Sequence, residues 1–318
     1  MNHNCSVCGN QNISIYRYND HLGLRIKTLA QFFIMKLITV FAKYISTKIY
    51  EKYLFKLIFS PLYKIAKCND CGYGYYLKDL DNTILEKYYN KLYWQASGLS
   101  DPKVFEDAYF LGDERSNAQY NFSNVFINQL NNSKILEIGA GPALISRFIR
   151  HHQKGKVEID VVETGNGWAA YYKTLDINQV ANFFPFKTDK QYDYIHTSHW
   201  LEHVSDLKDV IKQLKELLVH NGLLFIEVPN CNIYFELDFT DTPHIHFFTL
   251  KSLDKILRSA GFEILKSGEY GLTMTETLRL KNHQALEPQI LEAAKGSDLK
   301  VITREDGANL KILARRIS

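Results

Sequence analysis

The sequence lacks a strong excess of either charge. Its 38 Lys and Arg against 35 Asp and Glu leave a net +3, which argues against the whole chain being a nucleic-acid binder. It has no low-complexity tract and no internal repeat beyond a pair of cysteine turns. Its start, Met1-Asn-His-Asn-Cys5, lacks a basic segment leading into an apolar core, so no signal peptide is expected and the expected compartment is the cytoplasm. Cysteine is scarce. There are five, four of them in pairs, which fits metal ligation in a reducing compartment better than a secreted disulfide scaffold. The small net charge hides an asymmetry. Residues 1–80 carry 11 Lys and Arg against 4 Asp and Glu (+7), whereas the remainder carries 27 against 31 (−4).

What is present is organised around Lys134-Ile-Leu-Glu-Ile-Gly-Ala-Gly-Pro-Ala143. An apolar strand runs into a glycine turn, and a helix-like run over 144–149 follows. Gly139 and Gly141 permit a tight turn and a close ligand, and the helix behind them aims its N-terminal amides at that place. Val157-Glu-Ile-Asp-Val-Val-Glu163 reads as a second strand ending in an acid, suited to accept from the two hydroxyls of a ribose. Tyr192–His196 reads as a further strand leading to Thr-Ser-His-Trp-Leu-Glu-His-Val204. A periodic helix over 207–218 is expected to stop at Asn221-Gly222, before the strand Leu223–Val228. Asn309–Arg315 reads as the last strand.

Cys5-Ser-Val-Cys8-Gly and Cys68-Asn-Asp-Cys71-Gly are matched turns separated by 59 residues. Each lets two thiolates face one ion while the glycine folds the backbone amides toward sulfur. Four soft ligands in tetrahedral array suit a structural zinc. Cys231 stands alone and reads as buried filler.

Between the turns, residues 22–66 form an insertion rich in Leu, Ile, Phe, Tyr and Lys. No Gly or Pro interrupts Leu24 to Ser60, so one or two helices are expected. Its uncharged runs stay well below the ~20 residues of a bilayer span. Lys36, Lys43, Thr47 and Glu51 share one helical face with Phe and Leu around the rest. This basic amphipathic segment has three readings: a helical hairpin packed on the catalytic domain or another subunit, attachment to an anionic membrane surface, or a cap over a substrate pocket.

Taken in order, ILEIGAGPA, the strand-end Glu163, YDYIHTSHWLEHV, NGLLFIEVPN and HIHFFTLKSLDKILRSAGFEI resemble the class I S-adenosylmethionine-dependent methyltransferases over residues 134–270. The resemblance implies an α/β fold: a doubly wound, seven-stranded Rossmann-like sheet, here with a small N-terminal zinc-binding module and a helical insertion. The two cysteine turns followed by the Tyr-rich linker Tyr88–Trp94 resemble the sugar C-methyltransferases with an N-terminal zinc domain, which act on nucleotide-linked keto-sugars. The hydrophobic insertion is not part of that pattern.

The resemblance implies cofactor-binding residues Glu137, Gly139, Gly141 and Glu163, with Phe183 or Phe184 against the adenine. It places Tyr93, and Tyr89 beside it, with Glu202 and His203 around the sugar, His203 being the candidate general base. His244 and His246 could line the same pocket, His244 being rather the one expected to be hydrogen-bonded in a structural role. A histidine metal cluster is not expected there for want of a nearby carboxylate pattern. The expected acceptor is a small anionic molecule, a nucleotide-sugar or a lipid-linked glycan, with no nucleic-acid partner. An O- or N-methyltransferase on another metabolite, or a non-catalytic nucleoside-binding module that recruits a partner through its zinc domain, is the alternative. Peripheral membrane contact through 22–66 and homo-oligomer formation stay open. The organisation expected is a zinc module over 1–80, a helical connector over 81–132 (mostly helix from Val104 to Leu130) and a catalytic domain over 133–318, with a helix at 282–295.

Overall fold

The computed structural model describes residues 4–17, 64–77, 86, 89, 113–128, 132–153, 156–231, 244–273, 276, 279, 285, 288 and 307–317. Most of the 22–66 insertion, Tyr93, the expected connector helix before residue 113 and most of the helix expected over 282–295 lie outside these residues.

In chain order the elements are β1 (Ile13–Arg17), β2 (Lys64–Cys68), β3 (Gly74–Tyr76), α1 (Glu114–Ile127), β4 (Ser133–Ile138), α2 (Leu144–His152), β5 (Val157–Val162), α3 (Ala169–Thr174), β6 (Asn178–Ala181) and β7 (Tyr192–Ser198). A 3₁₀ turn, Leu201–His203, comes next. Then follow α4 (Leu207–Leu217), β8 (Leu218–Pro229), β9 (His246–Phe247), α5 (Leu250–Ser259), β10 (Phe262–Tyr270) and β11 (Asn309–Arg316).

The expected seven-stranded sheet is present, in the order β10-β11-β8-β7-β4-β5-β6. Strands β4 to β8 are parallel, and β11 runs antiparallel between β8 and β10. The chain leaves β4 toward β5 and β6, then returns to its other side at β7. That reversal opens a crevice at the carboxyl ends of β4 and β7, where open α/β sheets bind ligands.

The period-2 alternation of a strand divides the core between the two faces. Leu136, Ile138, Ile195, Leu224 and Ile226 pack with Leu214 of α4 and Leu253 of α5 on one face. Ile135, Tyr194, Phe225 and Leu313 pack with Phe122 of α1 and Phe148 of α2 on the other. Each such side chain contributes about 1.5–3 kcal/mol relative to exposure. Helix α4 starts where Asp206 accepts from the amide of Asp209, and it buries Leu207, Val210, Ile211, Leu214 and Leu217 on its sheet side. Thr249 and Ser252 close a reciprocal cap at the start of α5.

The stop expected at Asn221-Gly222 is placed differently. Helix α4 ends at Leu217, and β8 already begins at Leu218. Leu218 pairs with Tyr192 and Leu223 with Tyr194, so the residues between them bulge out of the ladder. Asn221 takes φ 63° there. The left-handed backbone that Asn and Gly allow is used to bulge a strand rather than to end a helix.

The cysteine turns do not stand apart from this domain. β1, β2 and β3 are antiparallel, and β9 of the catalytic chain adds the fourth strand beside β3. Cys5, Cys68, Cys71 and Tyr73 belong to the same buried cluster as Leu136 and Ile226. Among the described residues no helix is long and apolar enough to cross a membrane.

Candidate active site and cysteine cluster

The four paired cysteines converge. Cys5 Sγ lies 3.6 Å from Cys71 Sγ, Cys8 Sγ lies 3.5 Å from Cys68 Sγ, and all four sulfurs fall within 4.8 Å of one another. All are free thiols. A tetrahedral ion with metal–sulfur bonds of about 2.3 Å holds its sulfurs about 3.8 Å apart, so the donor set fits zinc. The two turns are built alike. Gly9 donates to the carbonyl of Cys5 at 2.8 Å and Gly72 to that of Cys68 at 2.9 Å. The amides of Val7 and Cys8 point at the Cys5 sulfur, and those of Asp70 and Cys71 at the Cys68 sulfur. Burial pushes the Cys5 and Cys71 thiols up. Four thiolates would therefore need a cation among them.

The second turn is fixed to α5. Thr249 Oγ1 donates to the Cys71 carbonyl at 2.6 Å, and Lys251 Nζ donates to that of Asp70 at 2.5 Å.

At the carboxyl end of β4, Gly139 has φ +70° and its amide donates to the Val162 carbonyl at 2.9 Å. A Cβ on Gly139 would stand 3.3 Å from the Trp200 side chain, so the glycine turn and the Trp200 loop share one wall. Glu163 follows β5 directly. Its Oε2 accepts from the Gly141 amide at 2.6 Å, and its Oε1 accepts from Thr164 N at 2.9 Å and Thr164 Oγ1 at 3.1 Å. Glu137 is turned under the loop, accepting from the Ser146 amide at 3.2 Å, and burial raises its carboxyl to about 8. Ala143, where a third glycine would be unstrained, takes φ 54° at the start of α2. Phe183 packs against Ile245 with Tyr76 and Tyr89, whereas Phe184 is buried edge-on to Trp200.

The turn after β7 carries the acid–base residues. Glu202 is 1% exposed, and among the described residues neither carboxylate oxygen has a hydrogen-bond partner. Its Oε1 lies 3.6 Å from His199 Nδ1, 3.6 Å from His203 Nε2 and 4.0 Å from His244 Nε2. Burial raises Glu202 to about 7, against the partial opposition of His199. The Ile245 amide donates to the Glu202 carbonyl at 2.8 Å, which brings the His244 segment alongside. The Tyr89 ring meets His203 edge-on at 5.7 Å.

His246, expected in the pocket, is instead held by hydrogen bonds between Tyr73 and the Val204 carbonyl, and His244 faces Glu202. The carboxylate whose absence argued against a histidine cluster is Glu202 itself.

Behind this turn is a group that the sequence reading did not single out. Glu227 of β8 accepts from Gln119 Nε2 at 2.9 Å and lies 3.3 Å from Arg115, 3.5 Å from His199 Nε2 and 4.0 Å from Lys311 Nζ. Burial alone would raise Glu227, but Arg115 and Lys311 outweigh it and hold it well below the usual range. A charged residue inside the apolar run Leu223–Val228 was the available signal.

With this geometry in place, the comparisons with known proteins can be read. Residues 113–267 match the family described as a methyltransferase domain, starting at the cap of α1 and ending in β10. A ubiquinone biosynthesis O-methyltransferase from Pelagibacter ubique (strain HTCC1062) is 32% identical over 105 residues, 32% of this chain and 44% of that protein. The chain thus spans less than half of that relative. Similar crystal structures include a S-adenosylmethionine-dependent methyltransferase from Clostridium acetobutylicum ATCC 824, with TM-score 0.43 and 9% identity over 65% of this chain and 93% of that one. Another is a S-adenosylmethionine-dependent methyltransferase from Mesorhizobium loti, with TM-score 0.44 and 13% identity over 63% and 98%. Residues 113–267 thus have the α/β fold of a methyltransferase domain and match that domain's family model. The chain carries an enzyme's domain.

Proposed function

We propose that this protein transfers a methyl group from S-adenosylmethionine to a small, oxygen-rich acceptor, a nucleotide-linked or lipid-linked sugar being the class that fits best. The observation that carries the reading is Glu202: a buried carboxylate without hydrogen-bond partners among the described residues, ringed by three histidines beside the glycine turn. The cofactor supplies a methyl group that is already electrophilic. The residues of the chain hold it, align the acceptor in line with it and accept one proton. The Gly139–Gly141 backbone would cradle the methionine end, and Glu163 would accept from the ribose hydroxyls. His203 is the candidate base, Glu202 orients it or holds an acceptor hydroxyl, and Tyr89, edge-on to His203, lines the pocket beside them.

A second reading, methyl transfer to a hydroxyl oxygen of another metabolite, is favoured by the 32% identity to the ubiquinone biosynthesis O-methyltransferase. We read the cysteine cluster as a structural zinc site that braces β3 against β9. The excess positive charge of residues 1–80 suits an anionic acceptor or an anionic membrane surface.

The test is calorimetry with S-adenosylhomocysteine, followed by its release from S-adenosylmethionine in the presence of nucleotide-linked keto-sugars, lipid-linked glycans and a catechol. Binding at micromolar level and turnover with a sugar support the reading. Turnover with the catechol alone shifts it to the second, and no binding removes both. For the cysteines, cobalt substitution should give thiolate charge-transfer bands that Cys68→Ser abolishes.

A further inference from the structure

We propose that Glu202, His203 and His244 form a second metal site, distinct from the cysteine cluster, that takes a divalent transition-metal ion at the edge of the cofactor crevice. Four observations support it.

The ligand atoms already cluster. One carboxylate oxygen and two imidazole nitrogens lie within 4.8 Å of one another. The separations from Glu202 Oε1 are 3.6 Å to His203 Nε2 and 4.0 Å to His244 Nε2. Donors that share an ion at about 2.1 Å stand about 3.0–3.4 Å apart, so closing the site takes side-chain shifts of up to about 1 Å.

The carboxylate is 1% exposed, and neither of its oxygens is hydrogen-bonded among the described residues. Buried charges are paired or coordinate metals, and the surrounding imidazoles stand too far off for a hydrogen bond.

The convergence is held by the backbone. The hydrogen bond from the Ile245 amide to the Glu202 carbonyl fixes the segment that carries His244 beside the turn that carries Glu202 and His203.

A supporting layer lies behind. His199 reaches Glu202 with Nδ1 and Glu227 with Nε2. It does so from a left-handed backbone, φ 51°, with its amide donating to the Glu227 carbonyl at 2.8 Å. Glu227 is in turn held by Arg115, Gln119 and Lys311. Metal sites are oriented by such outer partners.

Two imidazoles and one carboxylate suit manganese, iron, cobalt, nickel or zinc better than magnesium or calcium, which favour all-oxygen sets. Three protein ligands leave positions open. An acceptor with two adjacent oxygens would fill them, and the ion would acidify the oxygen it binds. This role, though not the binding itself, rests on the methyltransferase reading. It also gives the His203 lone pair to the ion rather than to a proton, so the two parts of His203 exclude each other in one catalytic state.

The experiment uses the full chain, stripped with EDTA and titrated with Mn²⁺ alone, followed by electron paramagnetic resonance. Manganese is a poor partner for thiolates, so the cysteine cluster stays silent. The expected result is one bound Mn²⁺ per chain that broadens the proton resonances of bound S-adenosylhomocysteine. In Glu202→Gln and His244→Ala, Mn²⁺ affinity should fall by roughly 10–100-fold or more, since even outer partners cost that much, while S-adenosylhomocysteine still binds. Wild-type protein that binds the nucleoside but no Mn²⁺, or whose bound Mn²⁺ leaves the nucleoside resonances sharp, overturns the proposal and leaves the methyltransferase reading standing. Unchanged Mn²⁺ affinity in both variants also overturns it. Protein that binds Mn²⁺ at this site but no nucleoside would sink the methyltransferase reading instead.

Discussion

Tyr73 and His246 are joined by a 2.6 Å hydrogen bond that runs from the end of the second cysteine turn to β9. The other ring nitrogen of His246 faces the Val204 carbonyl at 2.7 Å. A carbonyl only accepts, so the imidazole proton sits on Nε2, and Nδ1 accepts from the Tyr73 hydroxyl. Burial lowers His246 to about 4, which keeps it neutral. One imidazole therefore ties the cysteine module to the turn that carries Glu202 and His203.

Removing that donor should be costly. Tyr73→Phe leaves the buried Nδ1 without a partner, which destabilises the protein by about 1–3 kcal/mol in urea unfolding. Nitrogen NMR of the wild type should show His246 as the Nε2–H tautomer. A loss within experimental error, together with the other tautomer, would mean that the bridge does not form.

The matched glycines of the two cysteine turns should respond unequally to alanine. Both have φ +75°. A Cβ on Gly9 meets nothing within 4 Å, whereas a Cβ on Gly72 would meet Thr249 Cγ2 at 2.5 Å. Gly9→Ala should cost only the left-handed backbone, roughly 1–2 kcal/mol. Gly72→Ala carries that cost and must also displace the cap of α5, so it should be clearly the worse in thermal unfolding. Equal losses would detach the second turn from α5.

How far the sequence could be read depended on how local each signal was. The strands and glycine turn over 134–163 were legible because their alternation and turn chemistry lie within one short segment. Asn221-Gly222 was misread because a helix stop and a strand bulge use the same left-handed backbone, and only the pairing of Leu218 with Tyr192 distinguishes them. The structural part of His246 was not legible because alternation puts it on the same side as His244, and the residue that ties it down, Tyr73, is 173 residues away. Glu202 and His203 could be singled out from their motif. The buried group around Glu227 could not, since Arg115, Gln119 and Lys311 come from α1 and β11.

Acid stability offers a test of the core on the other side of the sheet. His196 stacks on Phe225 at 4.4 Å, and burial lowers it to about 3. A histidine depressed when folded and ordinary when unfolded gives stability that is present above about pH 6.5 and lost as pH falls toward the folded value. Between pH 6.5 and pH 5 this residue alone should cost about 1.6 kcal/mol. His196→Phe removes that titration, so the gap between wild type and variant should move by this amount in the variant's favour over the interval. Parallel pH profiles would mean that His196 titrates in the folded protein as it does in the unfolded chain.

Cofactor affinity should depend on Glu163 in a way that separates binding from folding. Its carboxylate accepts from the amides of Gly141 and Thr164. Glu163→Ala therefore strips both amides of a partner and lowers stability, and it also removes the acceptor for the ribose hydroxyls. S-adenosylhomocysteine affinity should weaken by about 1–3 kcal/mol, the range for hydrogen bonds to a charged group. Glu163→Gln keeps one accepting oxygen but brings a donating NH₂ group toward one of those amides. It should recover part of the affinity and only part of the stability. Calorimetry and urea unfolding on the same three proteins distinguish the effects. If alanine lowers stability but leaves affinity unchanged, Glu163 is a brace for the glycine turn, and the ribose is held elsewhere.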